Sequence, residues 1–171
     1  MTNIYNFADL SEMALYPCAY SMTFNVSGNT LNAILNQRSQ DMLAANNWNV
    51  VQYSVLVHML AQVAGLEVGE FVHVIADAHI YDKHLPLVEE MIKRPMFKAP
   101  KLVIDKSIKN FYDFTVDSFK LEGYEYNPPI AIKGIKMRAA FFFKKFIISP
   151  TFQSLKLLNA KIPERNINKG I

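Results

Sequence analysis

The sequence has one cysteine, one tryptophan and six glycines. It contains no lysine, arginine or histidine before Arg38. Each shortage excludes something. A single cysteine forbids an internal disulfide and any cysteine-based zinc site. No apolar stretch approaches the roughly twenty residues of a membrane-spanning helix. Met1 to Ala14 holds neither a basic residue nor a sustained apolar run, so no secretory leader is expected and a cytoplasmic location is the default.

What is present suits a globular domain. The chain has 171 residues, about half of them apolar, with 12 Phe and 8 Tyr, which supplies a core and argues against wholesale disorder. Charge divides the chain in two. Residues 1–132 carry nine lysines and arginines against fourteen acids, whereas residues 133–171 carry nine against one. An acidic domain over 1–132 therefore precedes a basic tail over 133–171.

Hydrophobic spacing organises the first part. Residues 6–14 read as a short helix or a helix end, with Asp9 available near its start. Pro17 forces an extended or turning backbone at Tyr16. Ala19 to Val26 suits a strand, Ser27-Gly28-Asn29 a turn, and Thr30 to Gln37 a second strand. Trp48 to Ala64 is apolar almost all round, the pattern of a buried central helix, and Gly65 ends it. Val68 to Ala76 reads as a strand and Lys83 to Lys93 as an amphipathic helix. Lys101 to Ile104 and Phe114 to Leu121 read as short strands.

The hairpin creates a chemical neighbourhood. Its strands run in opposite directions, so the start of the first lies beside the end of the second. Cys18 thus faces the segment Gln37-Arg38-Ser39. A thiol becomes a nucleophile as its thiolate, and a nearby cation is the simplest aid. A guanidinium provides a fixed positive charge and a fork that fits phosphate. Alone, this pair competes with a buried structural cysteine and an arginine held in a salt bridge. His73, Asp77, His79 and His84 form a second constellation. Three of these share one face of a strand and suggest a metal site, though such a site needs a supported, open shell.

Four segments decide between these readings. They are Leu15-Tyr16-Pro17-Cys18-Ala19-Tyr20-Ser21, Gln37-Arg38-Ser39-Gln40-Asp41-Met42, Asn47-Trp48-Asn49-Val50 and His73-Val74-Ile75-Ala76-Asp77-Ala78-His79-Ile80-Tyr81. In order and spacing they are similar to the thymidylate synthase family, over about Leu10 to Ile132. The resemblance implies an α+β fold, a mixed β-sheet with a buried central helix. It implies reductive methylation of deoxyuridylate (dUMP) to thymidylate (dTMP), with 5,10-methylenetetrahydrofolate as co-substrate and no metal. Cys18 would attack carbon 6 of the uracil ring. Arg38 and Ser39 would bind phosphate, Asn49 would read the base, His79 and Tyr81 would bind the ribose, and Asp41 would contact the folate. Asp77 falls in the same segment as structural support. The expected partners are dUMP, the folate, and either a second copy in a homodimer or a chain supplying the missing half; no nucleic acid is expected.

The sequence also departs from the family pattern. The family carries a long segment before the cysteine, with arginines, a glutamate and tryptophans that serve the site, and no counterpart precedes Cys18 here. Ala19 stands where one branch has histidine. The family ends soon after the segment resembling Asn127-Pro128-Pro129-Ile130-Ala131-Ile132, whereas 39 residues follow Ile132 here. Their run Phe141-Phe142-Phe143-Lys144-Lys145-Phe146 resembles nothing in the family. It has the composition of a surface-binding extension but is short, so no membrane partner is expected. Frameshift and read-through are the other origins of such a tail. The alternative function is an inactive or weakly dUMP-binding fragment of the same enzyme.

Overall fold

A computed structural model describes residues 1–128 and residue 130. The expected basic tail, 133–171, lies outside the described residues. The central sheet is mixed and has the order β1-β2-β3-β5. Its members are β1 (Thr2–Asn3), β2 (Ala19–Ser27), β3 (Thr30–Gln37) and β5 (Glu67–Ile75). The β1–β2 and β2–β3 pairs are antiparallel, while β5 lies parallel to β3. Two small pairs complete the strands: β4 (Gln40–Asp41) parallel to β6 (Ala78–His79), and β7 (Lys101–Ile104) antiparallel to β8 (Phe119–Glu122).

The β2–β3 hairpin forms where the turn signal predicts it. Ser27 pairs with Thr30 across Gly28-Asn29, and Gly28 takes φ 59°, a left-handed value that costs glycine little. At the other end the register shifts between Ala19 and Ser21, leaving Tyr20 as an extra residue. Such a bulge bends a strand and re-aims its side chains. It lies directly after Cys18.

A parallel pairing needs a long crossover, and helix α1 (Asn46–Ala64) provides it. Gly65 closes the helix at φ 70°, donating its N–H to the carbonyls of Ala61 and Gln62. The inward row of β3 packs Leu31, Ala33 and Leu35 with Met22 of β2 against Val57 and Ala61 of α1. The next helix face buries Val51 and Val55 under Leu102, Phe119 and Leu121 of the β7–β8 hairpin.

The helix is therefore covered on two faces, not all round as its composition suggests. Trp48, Gln52 and Val63, one stripe at helical spacing, remain exposed. Other boundaries also move. The helix expected at residues 6–14 is a 3-10 turn, Phe7–Glu12, capped by the Asn6 side chain on the Ala8 N–H, not by Asp9. The helix expected from Lys83 is a 3-10 turn, Asp82–His84, followed by α2 (Leu85–Met91) with Pro86 in its first turn. The strand expected from Phe114 begins at Phe119, because a reciprocal cap between Thr115 and Ser118 holds a 3-10 turn over Val116–Ser118.

Candidate active site

The C-terminal ends of β3 and β5 and the start of α1 meet at one edge of the sheet, and β4–β6 holds them there. Gln40 N–H donates to the Asp77 carbonyl at 2.8 Å, and Met42 N–H to the His79 carbonyl at 2.9 Å. Ala76 N–H donates to the Gln37 carbonyl at 3.0 Å. Backbone hydrogen bonds thus fasten the Gln37–Asp41 and Asp77–His79 segments together, so side-chain chemistry there does not depend on loose loops.

Cys18 and Arg38 meet as the hairpin predicts. Arg38 N–H donates to the Cys18 carbonyl at 2.9 Å. The Arg38 guanidinium donates from Nε to the Pro17 carbonyl at 3.1 Å and from a terminal nitrogen to the Tyr16 carbonyl at 2.6 Å. That same nitrogen lies 3.9 Å from Cys18 Sγ. The guanidinium both braces the backbone leading into the cysteine and sets a positive charge beside the half-buried sulfur.

Asp77 organises the next group. Its Oδ2 accepts from Ser39 Oγ at 3.3 Å and lies 3.1 Å from His79 Nδ1. One carboxylate oxygen therefore orients both the hydroxyl and the imidazole. The Tyr81 ring meets the edge of His79 with centroids 5.2 Å apart. Asp41 stands nearby in β4, where its Oδ1 accepts from the N–H groups of Leu43 and Ala44, both at 3.0 Å. It shapes the turn leading into α1.

Asn49 lies in the first turn of α1 and connects to the rest through Gln37. The Gln37 side chain, only 2% exposed, donates from Nε2 to the Ser39 carbonyl at 2.8 Å and to Asn49 Oδ1 at 3.4 Å. Its Oε1 lies 2.9 Å from His73 Nε2. Burial pushes the His73 imidazole down to about 4, so at neutral pH it is uncharged and donates one N–H.

Contacts join Cys18 to Arg38, Ser39 to His79 through Asp77, His79 to Tyr81, and Asn49 to the Ser39 backbone through Gln37, while Arg38 and Ser39 are neighbours in the chain and Asp41 lies in the adjacent strand β4. Sequence reasoning gave no role to Gln37 and placed His73 in a possible metal cluster. Among the described residues no group of three metal-ligating side chains is gathered. His73 turns to Gln37, and His79 turns to Asp77. A signal for Gln37 was present: it continues the inward row Leu31, Ala33, Leu35, and a polar side chain in an apolar row needs buried partners.

The thymidylate synthase family model matches residues 1–135. A thymidylate synthase of Bacillus licheniformis is 43% identical over 133 residues, covering 78% of this chain and 48% of its own length. Thymidylate synthase 1 of Bacillus subtilis strain 168 is 41% identical over 126 residues, covering 74% of this chain and 45% of its own length. The solved thermostable thymidylate synthase A from Bacillus subtilis superposes with a TM-score of 0.73 at 40% identity, over 77% of this chain and 47% of that one. The chain spans about half the length of the curated relatives it matches. With a family model matching residues 1–135 and a solved member superposing over most of this chain, the chain belongs to the thymidylate synthase family.

Proposed function

We propose that the site methylates dUMP to dTMP with 5,10-methylenetetrahydrofolate as both carbon donor and reductant. The observation that carries this reading is the approach of Cys18 Sγ to the Arg38 guanidinium, 3.9 Å, at a strand-end cluster of hydroxyl, imidazole and carboxamide groups. A nucleophile beside a fixed cation, with hydrogen-bonding side chains close by, suits an anionic nucleotide with an electron-poor ring.

In this mechanism the Cys18 thiolate adds to carbon 6 of the uracil, and the electron pair moves to carbon 5. Carbon 5 attacks the methylene carbon of the folate and then loses its proton. Elimination frees the folate amine, and a hydride from the folate reduces the resulting exocyclic methylene. The sulfur–carbon 6 bond breaks, releasing dTMP and dihydrofolate. Arg38 and Ser39 hold the phosphate, His79 and Tyr81 the ribose, and Asn49 the base edge. Asp41 faces the folate. Asp77 keeps Ser39 and His79 oriented. The proposal includes a cytoplasmic location and a homodimer, or a second chain that completes the site.

The test is turnover. Purified chain mixed with dUMP and methylenetetrahydrofolate is expected to produce dihydrofolate, followed by its absorbance. Cys18→Ser is expected to lower the rate by at least about a thousandfold, as loss of a covalent nucleophile does. Absence of dihydrofolate from the unsubstituted chain would reject catalysis by this chain alone.

A further inference from the structure

We infer that His73 is a positioning residue: acting through Gln37, it fixes which end of the Asn49 carboxamide carries the oxygen, and so sets a preference for a uracil over a cytosine nucleotide. The inference rests on the reading of Asn49 as the group that meets the base.

The polarity of the relay follows from its ends. The Ser39 carbonyl can only accept, so the Gln37 atom 2.8 Å from it is the amide nitrogen. The Gln37 oxygen then faces His73, whose Nε2 must carry the proton it donates at 2.9 Å. The second hydrogen of the Gln37 nitrogen points to Asn49, which turns its oxygen to receive it at 3.4 Å. Each orientation leaves one choice for the next. Gln37 is fully enclosed, so water cannot take the place of any of these partners.

A uracil edge offers an N–H at position 3 and a carbonyl oxygen at position 4. An amide in the observed orientation has an acceptor and a donor to match them. A cytosine edge presents the reverse, a ring nitrogen acceptor and an amino donor. To serve it, the Asn49 amide must turn over, which sets its NH2 against the NH2 of Gln37. Turning Gln37 as well sets its oxygen against the Ser39 carbonyl and obliges His73 to move its proton from Nε2 to Nδ1. The first alternative sets donor against donor and the second acceptor against acceptor, and a mismatch of that kind is how a polar site rejects a near-isostere. His73 is the far anchor: without its N–H, the Gln37 oxygen is buried without a donor, and the observed orientation of the amide loses one of the bonds that favour it.

The test compares dissociation constants for dUMP and dCMP by calorimetry in the full chain and two variants. The unsubstituted chain is expected to prefer dUMP. His73→Phe, which keeps a ring but removes the donor, is expected to lower the dUMP:dCMP preference about tenfold, the equivalent of one buried hydrogen bond. His73→Gln restores a donor near the same place and is expected to restore the preference. A folded His73→Phe chain with an unchanged preference overturns the inference, as does a His73→Gln chain as impaired as His73→Phe, since that result assigns the effect to imidazole packing. If His73→Phe lacks a cooperative melt, Gln37→Met cuts the next link and must give the same fall; an unchanged preference there overturns the inference. An unsubstituted chain that binds neither nucleotide rejects the reading of the site and this inference together, whereas dUMP preference that survives the substitutions rejects the inference alone.

Discussion

Arg38 grips two successive carbonyls, those of Tyr16 and Pro17, before it meets any ligand. Lysine cannot reproduce that fork, because its single ammonium has no planar pair of donors. Arg38→Lys is expected to destabilise the chain by about 1–2 kcal/mol, the scale of hydrogen bonds from a charged donor, measured by urea denaturation. Sequence alone placed Arg38 beside Cys18, because antiparallel strand ends must be neighbours. It did not reveal the carbonyl grip, which depends on the path of the chain through Tyr16-Pro17. His73 makes a second prediction at this scale. Burial lowers its folded-state value from 6.5 to about 4. Between those limits the unfolded chain binds a proton that the folded chain refuses, so this group makes stability fall as pH drops from about 6.5 to about 4. His58 is pushed the same way by burial and by the Lys106 charge. His73→Gln is expected to flatten part of that acid slope in denaturation midpoints measured across the range.

At the scale of elements, the hairpin, the helix and the strand after it were legible because each is a sustained apolar segment with a glycine signal at its end. The pairing of β3 with β5 was not, since nothing local dictates which strands meet after a crossover. That pairing is what brings His73 to Gln37 and Asp77 to Ser39, so the polar relay was invisible until the sheet was assembled. The same pairing constrains Gly69. A Cβ there would stand 2.3 Å from Asn32 Oδ1 and 2.5 Å from Thr30 Cγ2. Asn32 cannot simply swing away, because its Oδ1 accepts from the Glu70 N–H at 2.9 Å. Gly69→Ala is expected to cost about 1–3 kcal/mol, the range for forced overpacking, read from the thermal midpoint. The two-sided cover of α1 was likewise beyond the sequence: an all-round apolar helix predicts burial, but not which stripe its neighbours fail to reach.

Across the whole described molecule, α1 covers one face of the sheet and the opposite face stays open. Ile34 and Val74 lie on that open side at 42% and 46% exposure, with Thr23 and Asn36 among them by register. An open face of this kind favours association, and it is where the proposed homodimer would form. Sedimentation of the purified chain is expected to show self-association, weakened by Val74→Glu, which puts a charge into the face. A stable monomer at all concentrations would remove the dimer from the account.

The central claim is that Cys18 is a nucleophile aimed at a uracil nucleotide. Its most direct test is peptide mass spectrometry of the chain after incubation with fluorodeoxyuridylate and methylenetetrahydrofolate. The fluorine at carbon 5 blocks the proton loss that would release the intermediate. The account predicts an adduct on the peptide containing Cys18, abolished by Cys18→Ser. Unmodified peptide throughout, or an adduct that survives Cys18→Ser, would contradict it.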